Sequence, residues 1–180
     1  QSEENYEDAH LNDNGMILVK QSGKWAILDQ NLKNVTDFVF TDVAVNSKNQ
    51  VFSGNYAVVA DENGYFLIDQ KGKACFEKRF PNAKGMEGGY YAVADESGQW
   101  GFADEKGELV VPCQYVDAYS FSNQTAAVQY AGKWGYINRY GNMVIDAQFS
   151  TALPFLNGKA MVQDDQENIK VLELRYFDTF

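Results

Sequence analysis

The stretch Gly132-Lys133-Trp134-Gly135-Tyr136-Ile137-Asn138 decides the fold of this chain, because it recurs upstream. A close copy runs Gly98-Gln99-Trp100-Gly101-Phe102-Ala103-Asp104, and two weaker copies precede it. The aromatic anchors of the four copies, Trp25, Tyr65, Trp100 and Trp134, are separated by 40, 35 and 34 residues. A period of this length is typical of stacked repeat units, so the repeat has to be interpreted before any single residue.

Positions outside the anchors keep the same register. The residue 15 positions after each anchor is aromatic, namely Phe40, Phe80, Tyr115 and Phe149. The residue 21 positions after the last two anchors is Phe121 or Phe155, and about five extra residues in the first copy bring Val51 or Phe52 to that place. A further step of 35 residues reaches Ile169, which predicts a degenerate fifth unit, since terminal repeats are atypical.

Each copy has the pattern of β-structure. In the fourth copy, an extended run at 125–130 and the strand at 134–138 flank a short turn that contains Gly132, which is a hairpin signal. The next turn begins at Asn138 and ends at Gly141, where a side-chain acceptor and a residue with positive φ are expected. No segment shows a sustained 3.6-residue apolar period, so we expect almost no helix beyond one turn near 117–119.

The predicted fold is therefore all-β, a tandem array of about five β-hairpin repeats of about 35 residues each. We expect an open twisted array rather than a closed β-propeller, because each unit shows two firm strands and one short strand, whereas a propeller blade has four. Residues 16–180 form a single predicted repeat domain. Residues 1–15 form a predicted acidic leader that is loose or packs only locally, because five of them are Asp or Glu.

The anchors are interpreted as structural residues that fill the space between neighbouring units. Large aromatics at a fixed repeat offset build a shared core, so we expect Trp25, Tyr65, Trp100 and Trp134 to be buried in equivalent environments. The small residues that follow three of the anchors, Ala26, Gly101 and Gly135, predict a bulge or a close backbone approach. Phe66 breaks this pattern and predicts a different local packing in the second copy.

The quoted residues resemble the WG repeat, a bacterial β-rich repeat named for its Trp-Gly pair. The segments 98–121 and 132–155 match its pattern well, including Val110-Val111-Pro112, and the first two copies match in outline. The resemblance implies a tandem β-repeat architecture in exported or envelope-associated bacterial proteins. It implies no catalytic activity, no cofactor and no binding residues that could be assigned here.

Charge and composition exclude several functions. The formal net charge is −10, which disfavours binding to nucleic acids and anionic membranes, while the 45% apolar content fits a folded domain. No apolar run is long enough to insert through a bilayer. The chain begins at Gln1 rather than at a methionine, which an excised export signal or a trimmed domain would explain equally well. The resemblance to a repeat of exported or envelope-associated proteins leads us to expect a periplasmic, surface or secreted location.

Catalytic and metal-binding groups are sparse. The single histidine, His10, lies in the acidic leader and has no evident nucleophile partner. The turns at 61–64 and 95–98 are acidic but too short to supply the six to eight oxygens that calcium needs. Cys75 takes a position held by valine in other copies, so we expect it in the core, and a disulfide with Cys113 stays open. We expect neither an enzyme nor a metal or cofactor site.

Two binding functions follow for a non-catalytic module. Stacked repeats make extended surfaces, so the first expectation is a scaffold that binds a protein partner. The alternative is a carbohydrate-binding module that uses exposed aromatics. The tyrosines considered for it are Tyr90, Tyr91, Tyr119, Tyr130, Tyr136 and Tyr140.

Overall fold

A computed structural model of the chain describes residues 5–174. These residues form no helix and 18 β-strands. The strands are Asp8–Leu11 (β1), Ile17–Gln21 (β2), Lys24–Leu28 (β3), Asp42–Ala44 (β4), Phe52–Ser53 (β5), Tyr56–Asp61 (β6), Gly64–Asp69 (β7), Asn82–Ala83 (β8), Tyr90–Ala94 (β9), Trp100–Asp104 (β10), Leu109–Tyr115 (β11), Asp117–Ala118 (β12), Thr125–Tyr130 (β13), Lys133–Asn138 (β14), Met143–Phe149 (β15), Thr151–Ala152 (β16), Lys159–Gln163 (β17) and Ile169–Glu173 (β18).

The strands form five small antiparallel sheets that follow one another along the chain. Sheet 1 has the order β1-β2-β3, and sheet 2 pairs β4, β5 and β7 with the central strand β6. Sheets 3 and 4 have four strands each, in the orders β8-β9-β10-β11 and β12-β13-β14-β15, and sheet 5 has the order β16-β17-β18. The predicted all-β array of hairpin repeats is confirmed.

The strand count per unit differs from the sequence prediction. Complete sheets have four strands, whereas the sequence predicts two firm strands and a short one. The first strand of each was missed because it is only two or three residues long and gives no periodic signal. The helical turn expected near 117–119 is wrong, since Asp117–Ala118 form β12 and pair with β13. One sequence repeat contributes the last two strands of one sheet and the first strands of the next, so each repeat ties two sheets together.

The core is divided into five apolar clusters: one between each pair of successive sheets, and a fifth, smaller one of Val19, Ala26 and Leu28 on the outer face of sheet 1. Leu18 and Ile27 of sheet 1 pack with Val59 of sheet 2, and Ala127 of sheet 4 packs with Val162 of sheet 5. The central strands bury both faces; Tyr91 joins the layer towards sheet 2 and its neighbour Ala92 the layer towards sheet 4. No sheet can therefore bury its apolar residues alone, which is the physical reason for the array.

The ten repeat residues singled out from the sequence occupy equivalent places. Each anchor lies directly opposite the aromatic 15 residues later, in the pairs Trp25–Phe40, Tyr65–Phe80, Trp100–Tyr115 and Trp134–Phe149. The second members of these pairs and the later aromatics Phe121 and Phe155 are all buried. Trp25 and Trp134 are buried as well, but Tyr65 and Trp100 are half-buried, so full burial of all four anchors is wrong.

Steric crowding explains why glycine follows tryptophan in the Trp-Gly pair. A Cβ on Gly135 would lie 2.6 Å from the carbonyl oxygen of Ile145, and one on Gly101 would lie 2.5 Å from that of Val111. The neighbouring strand crosses here with an irregular register, as the sequence predicts. Where Ala26 and Phe66 replace glycine, the corresponding chain makes two isolated bridges instead of a continuous seven-residue strand.

Acidic and amide side chains close the turns. The Oδ1 atoms of Asp29, Asp69, Asp104 and Asn138 each accept hydrogen bonds from the backbone N–H groups two and four residues later, at 2.8–3.0 Å. Asp95 and Asp164 do the same in other turns. The pKa values of Asp29, Asp95 and Asp164 lie below the ordinary range; the largest cause is the backbone N–H of Lys33 at Asp29, the side chain of Ser97 at Asp95 and the side chain of Lys170 at Asp164, and the turn N–H groups add to it at the last two. The acidic turns therefore have a structural explanation.

The two ends of the array differ. At the start, Asp8–Leu11, which the sequence places in the acidic leader, form β1 and pair with β2, with Asp8 opposite Lys20 and Leu11 opposite Ile17. At the far end, Met161, Ile169 and Val171 of sheet 5 are 51%, 72% and 63% exposed, whereas their counterparts Ala127, Trp134 and Tyr136 in sheet 4 are buried. The described residues thus form an open array, in which no first sheet covers the last one.

The cysteine expectation is wrong. Cys75 is exposed and Cys113 is half-buried, and both are free thiols. Val110 and Val144, at the same repeat position in the continuous strands β11 and β15, are half-buried and 48% exposed, respectively, so this repeat position is not a core position and its valines do not predict burial of Cys75. Burial is the largest cause that raises the pKa of both thiols.

Gly135→Ala is expected to destabilise the protein by about 1–3 kcal/mol, because the new methyl group overlaps backbone atoms of β15 that cannot move without breaking the sheet. Ala26→Gly, at the same repeat position in sheet 1, should cost about 1–2 kcal/mol through added chain flexibility and the loss of a fully buried methyl group, without any steric overlap. Urea unfolding of both variants checks this. A Gly135→Ala variant that is as stable as the wild type, or more stable, would contradict the steric explanation.

Two buried tyrosines give a second, matched prediction. The hydroxyl of Tyr91 has no hydrogen-bond partner among residues 5–174, whereas that of Tyr136 donates to the carbonyl oxygen of Leu153 at 2.8 Å. Tyr91→Phe should therefore leave stability unchanged or raise it by up to about 1 kcal/mol, and Tyr136→Phe should lower it by about 1–2 kcal/mol. The urea midpoints of the two variants decide the matter, and the reverse order would refute this assignment.

Candidate functional site

The segments that follow the first strand of sheets 2, 3, 4 and 5 converge on one cavity of about 390 Å³. This apolar cavity is lined by Val45, Asn46, Ser47, Lys84, Tyr119, Ser120, Leu153, Pro154, Phe155 and Leu156. Its lining residues occupy the same place in successive repeats, 19 to 22 residues after an anchor in the later copies. The cavity is thus a product of the stacking itself and belongs to no single sheet.

Hydrogen bonds between neighbouring sheets hold the walls of the apolar cavity. The N–H of Gly85 donates to the carbonyl oxygen of Val45 at 3.2 Å, and the side-chain amide of Asn46 donates to that of Met86 at 3.3 Å. The hydroxyl of Ser120 continues the series by donating to the carbonyl oxygen of Gly85 at 2.7 Å. A Cβ on Gly85 would lie 2.3 Å from the carbonyl carbon of Val45, so only glycine allows this approach.

Lys84 supplies the cation of the apolar cavity. Its Nζ atom lies 2.9 Å from Oδ1 of Asp117 and also donates to the carbonyl oxygen of Ala118. The same atom lies 4.7 Å from the ring centre of Trp100 and 5.0 Å from that of Tyr119. A lysine held in this way ties sheet 3 to sheet 4 and is part of the wall rather than a free binding group.

Exposed apolar side chains form the mouth of the apolar cavity. Leu156 is 60% exposed, Leu153 38% and Val45 37%, although each lies beside a buried residue in the chain. Phe155, next to Leu156, packs its ring 4.8 Å from that of Tyr136 and is almost fully buried. The result is a concave apolar surface on a rigid floor, which suits an apolar side chain of a ligand.

A second, polar cavity of about 370 Å³ adjoins the first at Leu156. Its other lining residues are Lys48, Glu87, Gly88, Tyr90, Phe121, Ser122, Asn123, Gln124, Arg139 and Asn157. The tight turns of sheets 3, 4 and 5 contribute most of them. The hydroxyl of Ser122 donates to the carbonyl oxygen of Phe155 at 2.6 Å, and the N–H of Gly158 donates to Oδ1 of Asn123 at 3.1 Å.

The five-residue insertion in the first repeat shapes both cavities. It forms a turn between β4 and β5, in which Asn46 accepts hydrogen bonds from the N–H groups of Lys48 and Gln50 at 2.9 and 3.1 Å. Val51 and Phe52 return to the core beyond it, as the register predicts. Residues 46–48 then line the cavities, so the one departure from the repeat period lies at the candidate site.

The tyrosines considered for sugar binding are scattered. Tyr119 lines the apolar cavity and Tyr90 the polar one, whereas Tyr130 and Tyr140 are exposed elsewhere. Tyr91 and Tyr136 are fully buried, so neither can stack on a sugar, and including these two in a glycan surface is wrong. Both tyrosines lie in central strands whose side chains are buried on both faces of the sheet.

The side chains whose pKa values are shifted serve mainly structural roles. The hydroxyl of Tyr65 donates to Asp42 at 2.5 Å, and burial together with this carboxylate raises the pKa of Tyr65 to about 12. Burial also raises the pKa of Tyr91, Tyr115 and Tyr136, all of which are core residues. Within residues 5–174, no three His, Cys, Asp or Glu side chains come together in a way that could hold a metal ion. The same residues contain no helix that could cross a bilayer.

The sequence missed the cavity residues for a physical reason. Lys84, Tyr119 and Leu153 occupy equivalent repeat positions but share no chemistry, so they give no conserved motif within the chain. The signal that could have revealed the cavity was the variation of residue type at this repeat position. At an offset between an aromatic position and a buried apolar position, unlike residues in each copy indicate a surface that the core does not constrain.

Solved structures with similar folds are β-propeller-like. Hsv2p from Kluyveromyces lactis superimposes with a TM-score of 0.62 and 14% identity, over 96% of this chain and 63% of that one. BamB from Moraxella catarrhalis gives a TM-score of 0.52 and 13% identity, over 93% of this chain and 58% of that one. The chain therefore spans less than two thirds of either structure, and identities this low show the fold alone. No curated protein matches the sequence.

The family comparison agrees with the repeat register. The model of the WG containing repeat matches residues 5–25, 100–134 and 134–167. The last two matches begin at the anchors Trp100 and Trp134, and the first ends at Trp25. The chain is thus a WG-repeat protein, with matched repeats in three of its segments.

Proposed function

We propose that this chain is a non-catalytic module that binds a protein partner at the apolar cavity. The observation that carries the proposal is the convergence of four sheets on one concave surface with exposed Val45, Leu153 and Leu156. Such residues at the mouth of a rigid pocket are suited to hold an apolar side chain of a partner, and buried anchors of this kind dominate binding energies at protein interfaces.

The proposal includes two further parts. The module has no enzymatic role, since its shifted groups serve turns and core contacts and its cavities present mostly apolar, amide and cationic side chains. Its location is extracytoplasmic in a bacterium, a part that rests on the family resemblance alone. Fractionation of the native host cells with an antibody to the chain would test the location directly.

Carbohydrate binding is the second candidate function. The polar cavity favours it, because Asn123, Gln124 and Asn157 present amides beside the ring of Tyr90. Protein binding is preferred, because the apolar cavity next to it offers little to a neutral sugar. A glycan array with tryptophan fluorescence titration tests the alternative, and saturable binding to a cell-wall glycan would favour it.

Leu156→Ser is expected to weaken partner binding at least about tenfold, because it removes an exposed apolar contact at the junction of the two cavities while leaving the backbone bonds of its turn intact. The partner is captured from host extract by the wild-type chain, identified by mass spectrometry, purified and titrated. The matched control is Leu109→Ser, a similarly exposed leucine outside both cavities.

The two variants separate the outcomes clearly. Loss of affinity in Leu156→Ser with wild-type affinity in Leu109→Ser supports the apolar cavity as the binding site. Unchanged affinity in Leu156→Ser, or an equal loss in both variants, would show that the partner binds elsewhere or through general hydrophobicity. Urea unfolding of both proteins checks that neither change acts through the fold.

A further inference from the structure

Arg139 lines the polar cavity at its exposed rim, and its guanidinium group has no acidic partner among the described residues. Arg139 donates from Nη2 to the hydroxyl of Tyr140 at 2.9 Å, and its guanidinium lies 5.0 Å from the centre of that ring. None of the ion pairs within residues 5–174 includes Arg139. Since an arginine side chain has five N–H donors in a fixed fork, most of them are left for water or a ligand.

The other charges of the polar cavity offset each other. Glu87 is its one carboxylate; Oε2 accepts a hydrogen bond from the hydroxyl of Ser47, and Oε1 lies 3.8 Å from Nζ of Lys48. The Lys48–Glu87 pair therefore leaves Arg139 as the uncompensated charge. In a chain with a net charge of −10, the residues that line this cavity thus carry one more cation than anion, and the unpaired Arg139 is complementary to an anionic group.

The unusual backbone conformation of Gln124, which also lines the polar cavity, is an independent indication of a binding site there. It has φ of 65° at the second central position of its tight turn, where sheets 3 and 5 have Gly89 and Gly158 with φ of 84° and 76°. A left-handed backbone disfavours a side chain, so glycine is the ordinary residue at this place. Retaining glutamine there keeps an amide in the polar cavity, and backbone strain of this kind concentrates at binding sites.

We infer that the polar cavity binds a carboxylate of a peptide, an Asp or Glu side chain, while a nearby apolar side chain of the same peptide occupies the apolar cavity. Arg139 forms the ion pair, because its fork matches a carboxylate in bidentate geometry. Gln124 and Asn157 supply neutral donors beside it. The inference rests on the proposed function and narrows it, since it defines the partner as a segment with an apolar residue and an acidic residue close in sequence.

The junction at Leu156 favours a peptide over an acidic sugar. Both cavities include this residue, so a ligand that follows the surface meets an apolar wall and a cationic wall in succession. An extended peptide advances about 3.3 Å per residue and presents such different side chains along one strand. A uronic acid would fill the polar cavity only, and it serves as the competing arm of the test.

The experiment uses the full chain and defined peptides. The probes are acetylated, amidated Gly-Ser peptides that carry one Leu and one Glu separated by zero to four residues, with Glu→Gln and Leu→Ala versions of each. A galacturonic acid trimer is the sugar probe. Binding is followed by amide chemical shifts in the wild-type protein, in Arg139→Ala and in Lys106→Ala, a control that removes an exposed cation outside both cavities.

We expect at least one Leu–Glu peptide to bind about fivefold or more tightly than its Gln version, in the wild type and in Lys106→Ala. In Arg139→Ala this ratio should fall to about one, while shifts near Leu156 persist. Equal binding of Glu and Gln peptides overturns the inference and leaves the apolar site intact. Shifts from the uronic acid alone overturn it in favour of a glycan. Silence from every probe at millimolar concentration contradicts both the inference and the proposed apolar site.

Discussion

The inter-sheet apolar layer is the interaction on which the rest of this structure depends. Each sheet has only three or four short strands, and the central strands of sheets 2, 3 and 4 bury both faces against neighbouring sheets. A small isolated sheet of this kind is not stable in water, so every sheet exists because the next one covers it. The Trp-Gly pair serves this constraint twice, since the aromatic faces its partner 15 residues later and the glycine lets the adjacent strand cross closely.

The candidate site follows from the same constraint. Stacking brings equivalent segments of four sheets side by side, and hydrogen bonds such as Gly85 to Val45 fix their spacing. The core sets the buried apolar positions before and after these segments but leaves their side chains free to vary. A conserved scaffold with variable lining residues is the usual arrangement of binding surfaces on repeat proteins. The insertion at 46–50 and the strained Gln124 are further departures from the repeat, and both line the cavities.

Much of the fold could be predicted from the sequence, because the repeat copies the same local chemistry several times. Asp104 and Asn138 close equivalent turns, Tyr115 and Phe149 face equivalent anchors, and Gly101 and Gly135 mark the close strand crossing. The four-stranded sheet could not be predicted, since strands such as Asn82–Ala83 are too short to carry a period. Cys75 was misplaced because its repeat position is not a core position: Val144, its counterpart in a continuous strand, is exposed as well, so a recurring valine there did not indicate burial. The cavities were missed because Lys84, Tyr119 and Leu153 share a position and no chemistry.

The central claim is that the cavities are an integral part of the stacked sheets and not a loose surface between loops. Hydrogen exchange of the Gly85 amide, resolved by NMR, tests it most directly, because this N–H bonds to Val45 across two sheets at the wall of the apolar cavity. The account predicts that Gly85 exchanges as slowly as amides of the central strands β9 and β13, through global unfolding. Exchange as fast as that of the exposed turn residue Gly54 would contradict it.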